Sequence, residues 1–367
     1  MKIAVINDIH FGIKESKRLY DELHQFTDYI QENPIDAVVF AGDYFDAKLS
    51  VGDLATFYAM SFFQQVFTIC KNKNIPIRMI QGTRSHDLNQ LSLFEPFTHE
   101  KGVDFKIYET VKTENLLGLN ILFVPEEYPE NFDEYYAEYK TGKYNIIFGH
   151  GTWDFLSFGA ERKEKPRGVR YAPIFIYDDW KNAIGDGVVV FGHIHGRNIF
   201  EEKVYYPGSF TRWSYGERGD RGFSVVDYDL ENNTWKVEMI NNTEAPEFNA
   251  TSVKELAENL EELSAADIVS LIKANISGDN HLRVDLSGIS NDKIEVIKKA
   301  LNEEANIKLE VREARSLLRE SSDSEKFKKF EYITKRQLPM NKTIQRFCKE
   351  ELGVDLTLEV IDAIISK

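Results

Sequence analysis

Disulfide chemistry, membrane-spanning runs and an overall basic charge are all missing from this 367-residue chain. Its two cysteines, Cys70 and Cys348, stand far apart in apolar, helix-like surroundings. Free buried thiols in a reducing compartment are therefore expected, not a disulfide framework. No apolar run reaches the roughly 18 residues that cross a bilayer, so no membrane association is expected. Met1–Asp8 passes straight into a strand-like pattern, without the apolar core and cleavage site of a signal peptide, and a cytoplasmic location is expected. A formal net charge of −15 argues against broad non-specific attraction to nucleic acid. Two local basic patches stand against that background. Glu161–Arg170 holds five basic and two acidic residues, and Lys326–Lys349 holds eight basic and one acidic. Either patch alone also reads as a solvated surface. There are no internal repeats and no low-complexity tracts.

A hydrophobic content of 42% indicates a globular protein, and the length predicts two or three domains. Residues 1–243 alternate strand-like and helix-like patterns. Strands are predicted at Ile3–Asn7, Ala37–Ala41, Ile75–Ile80, Asn120–Pro125, Asn145–Phe148, Val188–Phe191, Lys203–Tyr206, Phe223–Asp227 and Thr234–Ile240. Helices are predicted over Lys17–Gln31, with Leu19, Leu23, Phe26 and Ile30 on one face, and over Asp53–Lys73. The β-α-β start followed by closely spaced strands gives an α/β (α+β) class, a layered sandwich of two mixed sheets flanked by helices. The polar stretch Asn241–Ser252 reads as a linker. Beyond it, 250–313 reads as a small α+β module: a helix at Lys254–Leu263, strands at Ala266–Ala274 and His281–Leu286, a helix at Asp292–Glu304 and a strand at Ile307–Arg312. A charged tether over 314–335 precedes two short amphipathic helices in 336–367, with Leu358, Ile361 and Ile365 in an apolar stripe.

Five short segments carry most of the acid and imidazole available for chemistry: Asp8-Ile9-His10, Gly42-Asp43, Ser85-His86-Asp87, Gly149-His150 and Gly192-His193-Ile194-His195. Each follows an apolar run that reads as a buried strand, and together they hold five of the eight histidines. A parallel-type sheet gathers the carboxyl ends of its strands on one edge, where ligands bind. Carboxylates with neutral imidazoles suit two divalent metals about 3.5–4 Å apart, with one Asp between them. Individually the pieces are weak: D-x-H is commonly an incidental turn, and a lone His is as readily a core residue. Gly192–His195 is the strongest, because alternate residues beyond a strand send two imidazoles to one side.

In this order, each behind a strand, the segments resemble the calcineurin-like metallophosphoesterase superfamily. That resemblance implies a four-layer sandwich. The stretch Tyr206–Glu217 (YPGSFTRWSYGE), followed by Arg221-Gly222-Phe223, looks like the signature of SbcD-type nucleases, relatives of the eukaryotic Mre-eleven nuclease. Asp46-Ala47-Lys48 stands where protein phosphatases carry Asp-Arg-Gly, which weakens a phosphatase reading.

Carried over by position, the resemblance implies one metal on Asp8, His10, Asp43 and His195, and a second on Asp43, His150 and His193, most readily Mn²⁺. The family's Gly-Asn-His-Asp aligns with Gly82-Thr83-Arg84-Ser85-His86-Asp87, two residues longer, with Ser85 at the Asn position or Thr83 reaching in its place. His86 aligns with the catalytic histidine, as general acid, and Asp87 with the acid that orients it. DNA phosphates would meet Arg162, Lys163, Lys165, Arg167, Arg170, Arg212, Arg218 and Arg221. The resemblance further implies a homodimer through the aromatic helix 54–67 with 88–97, a capping domain over 250–313, and a tail that docks on an SbcC-type coiled-coil ATPase. Two rival readings stay open: a phosphodiesterase or phosphatase for small phosphoesters, and a weakly catalytic scaffold for the ATPase on DNA.

Overall fold

A computed structural model describes residues 1–13, 15–87, 90–99, 102–156, 174–257, 259 and 262–311, with the single positions 342, 345, 357 and 358. The chain divides into two units, Met1–Asn249 with Ile276–Leu282, and Ala250–Asn275 with Arg283–Lys367.

Strand β1 (Lys2–Ile6) shows how the first unit is built. Alternation along a strand sends Ile3 and Val5 to one face and Ala4 and Ile6 to the other. All four are fully buried, so both faces of the sheet are covered, as parallel sheets require. After helices α1 (Ser16–Glu22) and α2 (His24–Glu32) the chain forms β2 (Ala37–Ala41), α3 (Leu54–Lys73), β3 (Ile77–Ile80), the single turn α4 (Arg84–Asp87) and β4 (Phe105–Tyr108). The strands β5 (Lys112–Leu116), β6 (Leu119–Val124), β7 (Ile146–His150), β8 (Thr152–Trp153) and β9 (Ile174–Phe175) follow. Next come β10 (Val188–Gly192), β11 (Asn198–Phe200), β12 (Val204–Tyr206), β13 (Gly222–Asp229) and β14 (Thr234–Asn241).

The long strands assemble into two six-stranded sheets, β14-β13-β1-β2-β3-β4 and β11-β12-β10-β7-β6-β5. Strands β1 to β4 are mutually parallel, as are β6, β7, β10 and β12; β13, β14, β5 and β11 pair antiparallel. Both sheets are thus mixed, as the sequence predicts.

Three apolar layers follow from the alternation. Ile3, Val5, Val39, Phe123, Phe148 and Val190 fill the space between the sheets. Ala4, Ile6, Val38 and Phe40 pack under Phe26, Phe62, Phe63 and Phe67 of the helices on one outer side. Leu122, Ile147, Val189 and Phe191 pack under Trp153 and Trp180 on the other. The result is the four-layer arrangement of helix, sheet, sheet and helix.

Several elements differ from expectation. The helix read over Lys17–Gln31 is divided at Leu23, whose φ of −65° and ψ of −10° still lie in the helical region. The apolar face survives the break: Leu19, Leu23, Phe26 and Ile30 are all fully buried. Ala266–Ala274, read as a strand, is instead the helix Ala265–Ala274. A reciprocal cap decides it: Ser264 Oγ accepts from Asp267 N–H (3.2 Å), and the Asp267 carboxylate accepts from Ser264 N–H (2.9 Å). Ile268 and Ile272, four residues apart, then share its buried face. The end of the expected linker is the strand β15 (Phe248–Ser252), which joins β16 (His281–Asp285) and β17 (Ile307–Glu310) in a three-stranded sheet of order β15-β16-β17. Strands β4, β5 and β11 and the helix Tyr177–Ile184 are additions to the reading. The tether 314–335 lies outside the described residues, as does the tail 336–367 apart from the four single positions. Cys70 is buried and free, and burial pushes its thiol up to about 12; Cys348 lies outside the described residues. Among the described residues no helix is long and apolar enough to cross a membrane.

Candidate metal centre

Parallel strands deliver the site. Asp8 lies two residues beyond β1, Asp43 two beyond β2, and Glu126 two beyond β6; His150 ends β7, and His193 follows β10. The turns are tight enough to force left-handed backbone on side-chain-bearing residues: φ is 50° at Asp8, 57° at His10, 54° at Asp43 and 94° at His193. Such conformations cost free energy and persist where surrounding bonds over-determine them. Here Asp8 N–H donates to Gly42 O (3.0 Å), while Ile9 and His10 N–H donate to Asp43 O (2.8 and 3.0 Å). His193 N–H donates to the Asp8 carboxylate (2.9 Å). Close approach also explains two glycines. A Cβ at Gly82 would stand 2.2 Å from Asp43 N, and one at Gly42 2.4 Å from His150 Nδ1.

The side chains form two adjoining clusters, linked by a third group, His10 with Asp43 and His86, whose potential ligand atoms also lie within 4.8 Å of one another. In the first, potential ligand atoms of Asp8, His10 and His195 lie within 4.8 Å of one another. The Nε2 atoms of His10 and His195 are 3.0 Å apart. Asn7 Nδ2 donates to Asp8 Oδ2 (2.7 Å), and His195 Nδ1 faces Glu217 Oε1 at 3.1 Å. With Nδ1 held by a carboxylate, His195 presents Nε2 to the site, a common way of orienting a ligand imidazole. Burial drives the His10 pKa down to about 4 despite the pull of Asp43, so the ring is neutral and able to ligate.

In the second cluster Asp43, His150 and His193 meet the same distance criterion. His150 is fully buried, and its Nδ1 lies 2.8 Å from Ala41 O, which leaves Nε2 facing Asp43 Oδ1 at 3.3 Å. Burial opposes charge on His150, but Asp43, Asp8 and Glu126 outweigh it and raise its pKa well above the usual value. Burial would likewise raise the Asp43 pKa; the charge and hydrogen bond of His150 and the bond to His86 reverse that and hold it well below the carboxylate range. Asp43 also lies 3.8 Å from His10 Nε2 and 3.2 Å from His86 Nδ1, so it stands between the clusters.

All seven residues expected at the centre from the carried-over motifs, Asp8, His10, Asp43, His86, His150, His193 and His195, are therefore brought together. Two further residues join them: Thr83, one of the two alternatives for the Asn position, and Glu126, which was not foreseen. Glu126, wholly buried, points Oε2 at His193 Nδ1 (3.3 Å) and His150 Nε2 (3.8 Å). Thr83 Oγ1 lies within 3.2–3.4 Å of Asp43, Glu126, His150 and His193. Glu126 follows the run Leu119–Val124 as the other acids follow theirs, so position after a strand was the available signal. Ser85, by contrast, is exposed on α4, and Thr83 occupies the space considered for it.

Two other expectations change. The Asp87 carboxylate accepts from Gly82 N–H (2.8 Å) and Tyr44 N–H (3.0 Å); it fixes the loops, while His86 is oriented by Asp43. Burial, with the Asp43 charge beside it, raises the Asp87 pKa to about 7. Arg212 donates to the carbonyls of Ala245 (3.0 Å), Pro246 (3.2 Å) and Gly219 (2.7 Å), and buried Arg221 donates to those of Arg218 and Asp220. These two guanidiniums hold loops together, Arg221 fully buried and Arg212 half-buried. Arg218 is exposed. Arg162, Lys163, Lys165, Arg167 and Arg170 lie outside the described residues.

Comparison with known proteins agrees with this geometry. The chain is similar to "Putative phosphoesterase 244L" of Invertebrate iridescent virus 6, 24% identical over 61% of this chain and 75% of the relative. It is also similar to "Putative phosphoesterase 078R" of Invertebrate iridescent virus 3, 23% identical over 59% of each. For that second relative the chain spans less than two thirds of its length. A solved crystal structure aligns over 65% of this chain and 98% of its own at 14% identity with a TM-score of 0.40, a likeness that adds no argument. The family model for calcineurin-like phosphoesterases matches residues 1–197, the stretch that contains both clusters and the strands behind them. Taken with that arrangement, the match makes the chain a member of the calcineurin-like phosphoesterases, metal-dependent hydrolases whose fold binds two divalent ions.

Proposed function

We propose that the chain is a Mn²⁺-dependent DNA nuclease, cutting duplex ends as an exonuclease and single strands or hairpins as an endonuclease, as a subunit beside an SbcC-type ATPase. The observation that carries the finer reading is how the Tyr206–Glu217 segment is wired into the centre. Gly208 O accepts from Asn7 Nδ2 (3.0 Å), Ser209 N–H donates to His195 O (3.0 Å), and Glu217 holds His195. The segment that resembles the SbcD signature therefore braces the turn bearing Asp8 and the turn bearing His195.

Asp8, His10, Asp43 and His195 would hold one ion, and Asp43, His150 and His193 would share in holding the other. Neighbouring donors around an ion with bonds of about 2.1 Å lie about 3 Å apart; the observed spacings of 3.0, 3.3 and 3.8 Å fit such coordination. Carboxylate and imidazole donors suit Mn²⁺. Ions held there supply Lewis acidity to a phosphodiester and an activated water. His86 does the protein's part. Its Nδ1 is fixed by Asp43, and that hydrogen bond raises its pKa despite partial burial. A protonated imidazole with Nε2 unheld can stabilise the transition state and protonate the leaving oxygen.

The partners extend the same proposal. Val51, in the turn before α3, and Leu54 and Phe57, at its start, are 88%, 72% and 64% exposed, apolar groups suited to a second copy of the chain. Phe62, Phe63, Val66 and Phe67 of the same helix are core instead. A monomer at micromolar concentration in equilibrium sedimentation would remove the homodimer. The tail 336–367 is assigned to the ATPase, and retained binding after its deletion would overturn that.

One assay separates the readings: Mn²⁺-dependent release of nucleotides from end-labelled duplex, with and without the ATPase, beside a small chromogenic phosphodiester. Release from duplex is expected. Hydrolysis of the small ester alone would favour the general phosphodiesterase, and inertness toward both would favour the scaffold.

A further inference from the structure

We infer that Glu126 is a protein ligand of the second half of the metal centre, supplying the carboxylate oxygen Oε2 there with Thr83 as its positioning residue. The inference rests on the two-metal reading above and goes beyond it by naming a donor that no motif assigned.

Position comes first. Glu126 N–H donates to Gln81 O (3.1 Å), which ties the turn after β6 to the turn after β3 and brings Glu126 beside Thr83. The carboxylate is wholly buried. Oε1 accepts a hydrogen bond from Tyr128 OH, so that oxygen is committed. Oε2 is left facing Thr83 Oγ1 (3.2 Å), His193 Nδ1 (3.3 Å) and His150 Nε2 (3.8 Å). Donors at about 2.1 Å from a common ion stand about 3 Å apart when adjacent and about 4.2 Å when opposed. The observed separations fall within that span.

Charge makes the same case. Asp8, Asp43, Asp87 and Glu126 are all at most 2% exposed. The partners of Glu126 within the centre are imidazoles and a hydroxyl. A divalent ion between Asp43, Glu126 and the two imidazoles would place a cation among these buried carboxylates.

Thr83 completes the arrangement. Its N–H donates to Asp43 Oδ1 (2.6 Å), while its hydroxyl lies 3.2 Å from both Asp43 Oδ2 and Glu126 Oε2. It holds the two carboxylates in one orientation. The two halves then match, each with one private carboxylate, the shared Asp43 and two imidazoles.

The test is Mn²⁺ binding to the full chain, counted by equilibrium dialysis with metal analysis and read independently by electron paramagnetic resonance for spin coupling between paired ions. The wild type is expected to bind two coupled ions. Glu126→Gln is expected to bind one ion as before and the second at least about tenfold more weakly, with the coupling lost. Glu126→Asp keeps the charge but withdraws the oxygen, and should show the same split to a smaller degree; it serves if Glu126→Gln does not fold. Wild-type affinity at both halves in either variant overturns the inference. A wild type that binds fewer than two ions fails the two-metal reading itself, and the Glu126 role with it.

Discussion

The two halves of the centre use the same chemistry and are assembled differently. The Asp8, His10 and His195 half draws on two short motifs, Asp8-Ile9-His10 and His193-Ile194-His195, the second of which gives His193 to the other half, and the signature segment supports it through Glu217. The half around Asp43, His150 and His193 takes its groups from separate loops, with Thr83 and Glu126 filling in between. Asp8 with His10 is readable as a word in the sequence, as is the His193–His195 pair that the two halves divide; the rest of the second half depends on β2, β3, β6 and β7 ending near one another. The comparison teaches that a local motif marks a donor pair, while isolated donors need the sheet to become a site.

The largest effect should come from the group that belongs to both halves. Asp43→Asn is expected to weaken both ions and to lower turnover by more than the roughly 10–100-fold typical of a supporting residue. Loss of only one ion in a metal count would break the view of Asp43 as shared. Next in size, His86→Asn should lower turnover roughly 10²–10⁴-fold while both ions still bind. Near wild-type cleavage would remove His86 from the chemistry.

Glu217→Gln tests the support of the first half alone. A weakening of about 10–100-fold is expected for one ion, with the Asp43–His150–His193 half unchanged; equal loss at both would merge the two halves into one unit.

The halves should also differ in the pH range over which they lose protons. In the first, burial drives the His10 pKa down to about 4, so it has no proton to lose at neutral pH. The proton to lose there sits on His195, where burial lowers the pKa but Glu217, Asp8 and Asp43 outweigh it and raise it. His150 is held protonated above its ordinary pKa, against its burial, by Asp43, Asp8 and Glu126. Because a ligating imidazole must be neutral, ion uptake at the second half should release a proton from His150, and its affinity should rise with pH through that raised pKa. Titration calorimetry in buffers of different ionisation enthalpy would detect the release, and equal pH dependence at both halves would count against it. The smallest contrast is between two hydroxyls. Thr83→Ala should measurably weaken the second ion, while Ser85→Ala, at an exposed position, should change nothing in the same binding measurement.

Much of the fold was legible because burial on both faces leaves a plain pattern. Ile3–Ile6 and Val38–Ala41 are apolar without a break and rich in β-branched residues, which favours strands covered on both faces. The misreading at Ala266–Ala274 has a physical reason: a short apolar run fits a strand or a buried helix face equally, and the Ser264–Asp267 cap decided it. The charge of Arg212 and Arg221 was visible, but not the carbonyls that occupy them. Asp87 was placed correctly beside His86 in the chain, yet its carboxylate turns toward Gly82 and Tyr44.

The sequence alone determined the family-level centre, because strand, glycine and ligand recur in a fixed order and chain proximity dictates where Asp8 with His10, and His193 with His195, must lie. Only the tertiary structure decided that Thr83, not Ser85, faces Asp43 and His150, and that Glu126 lies beside them. Those outcomes depend on distances between loops far apart in the chain, and they are set by how two sheets stack, which no local pattern encodes.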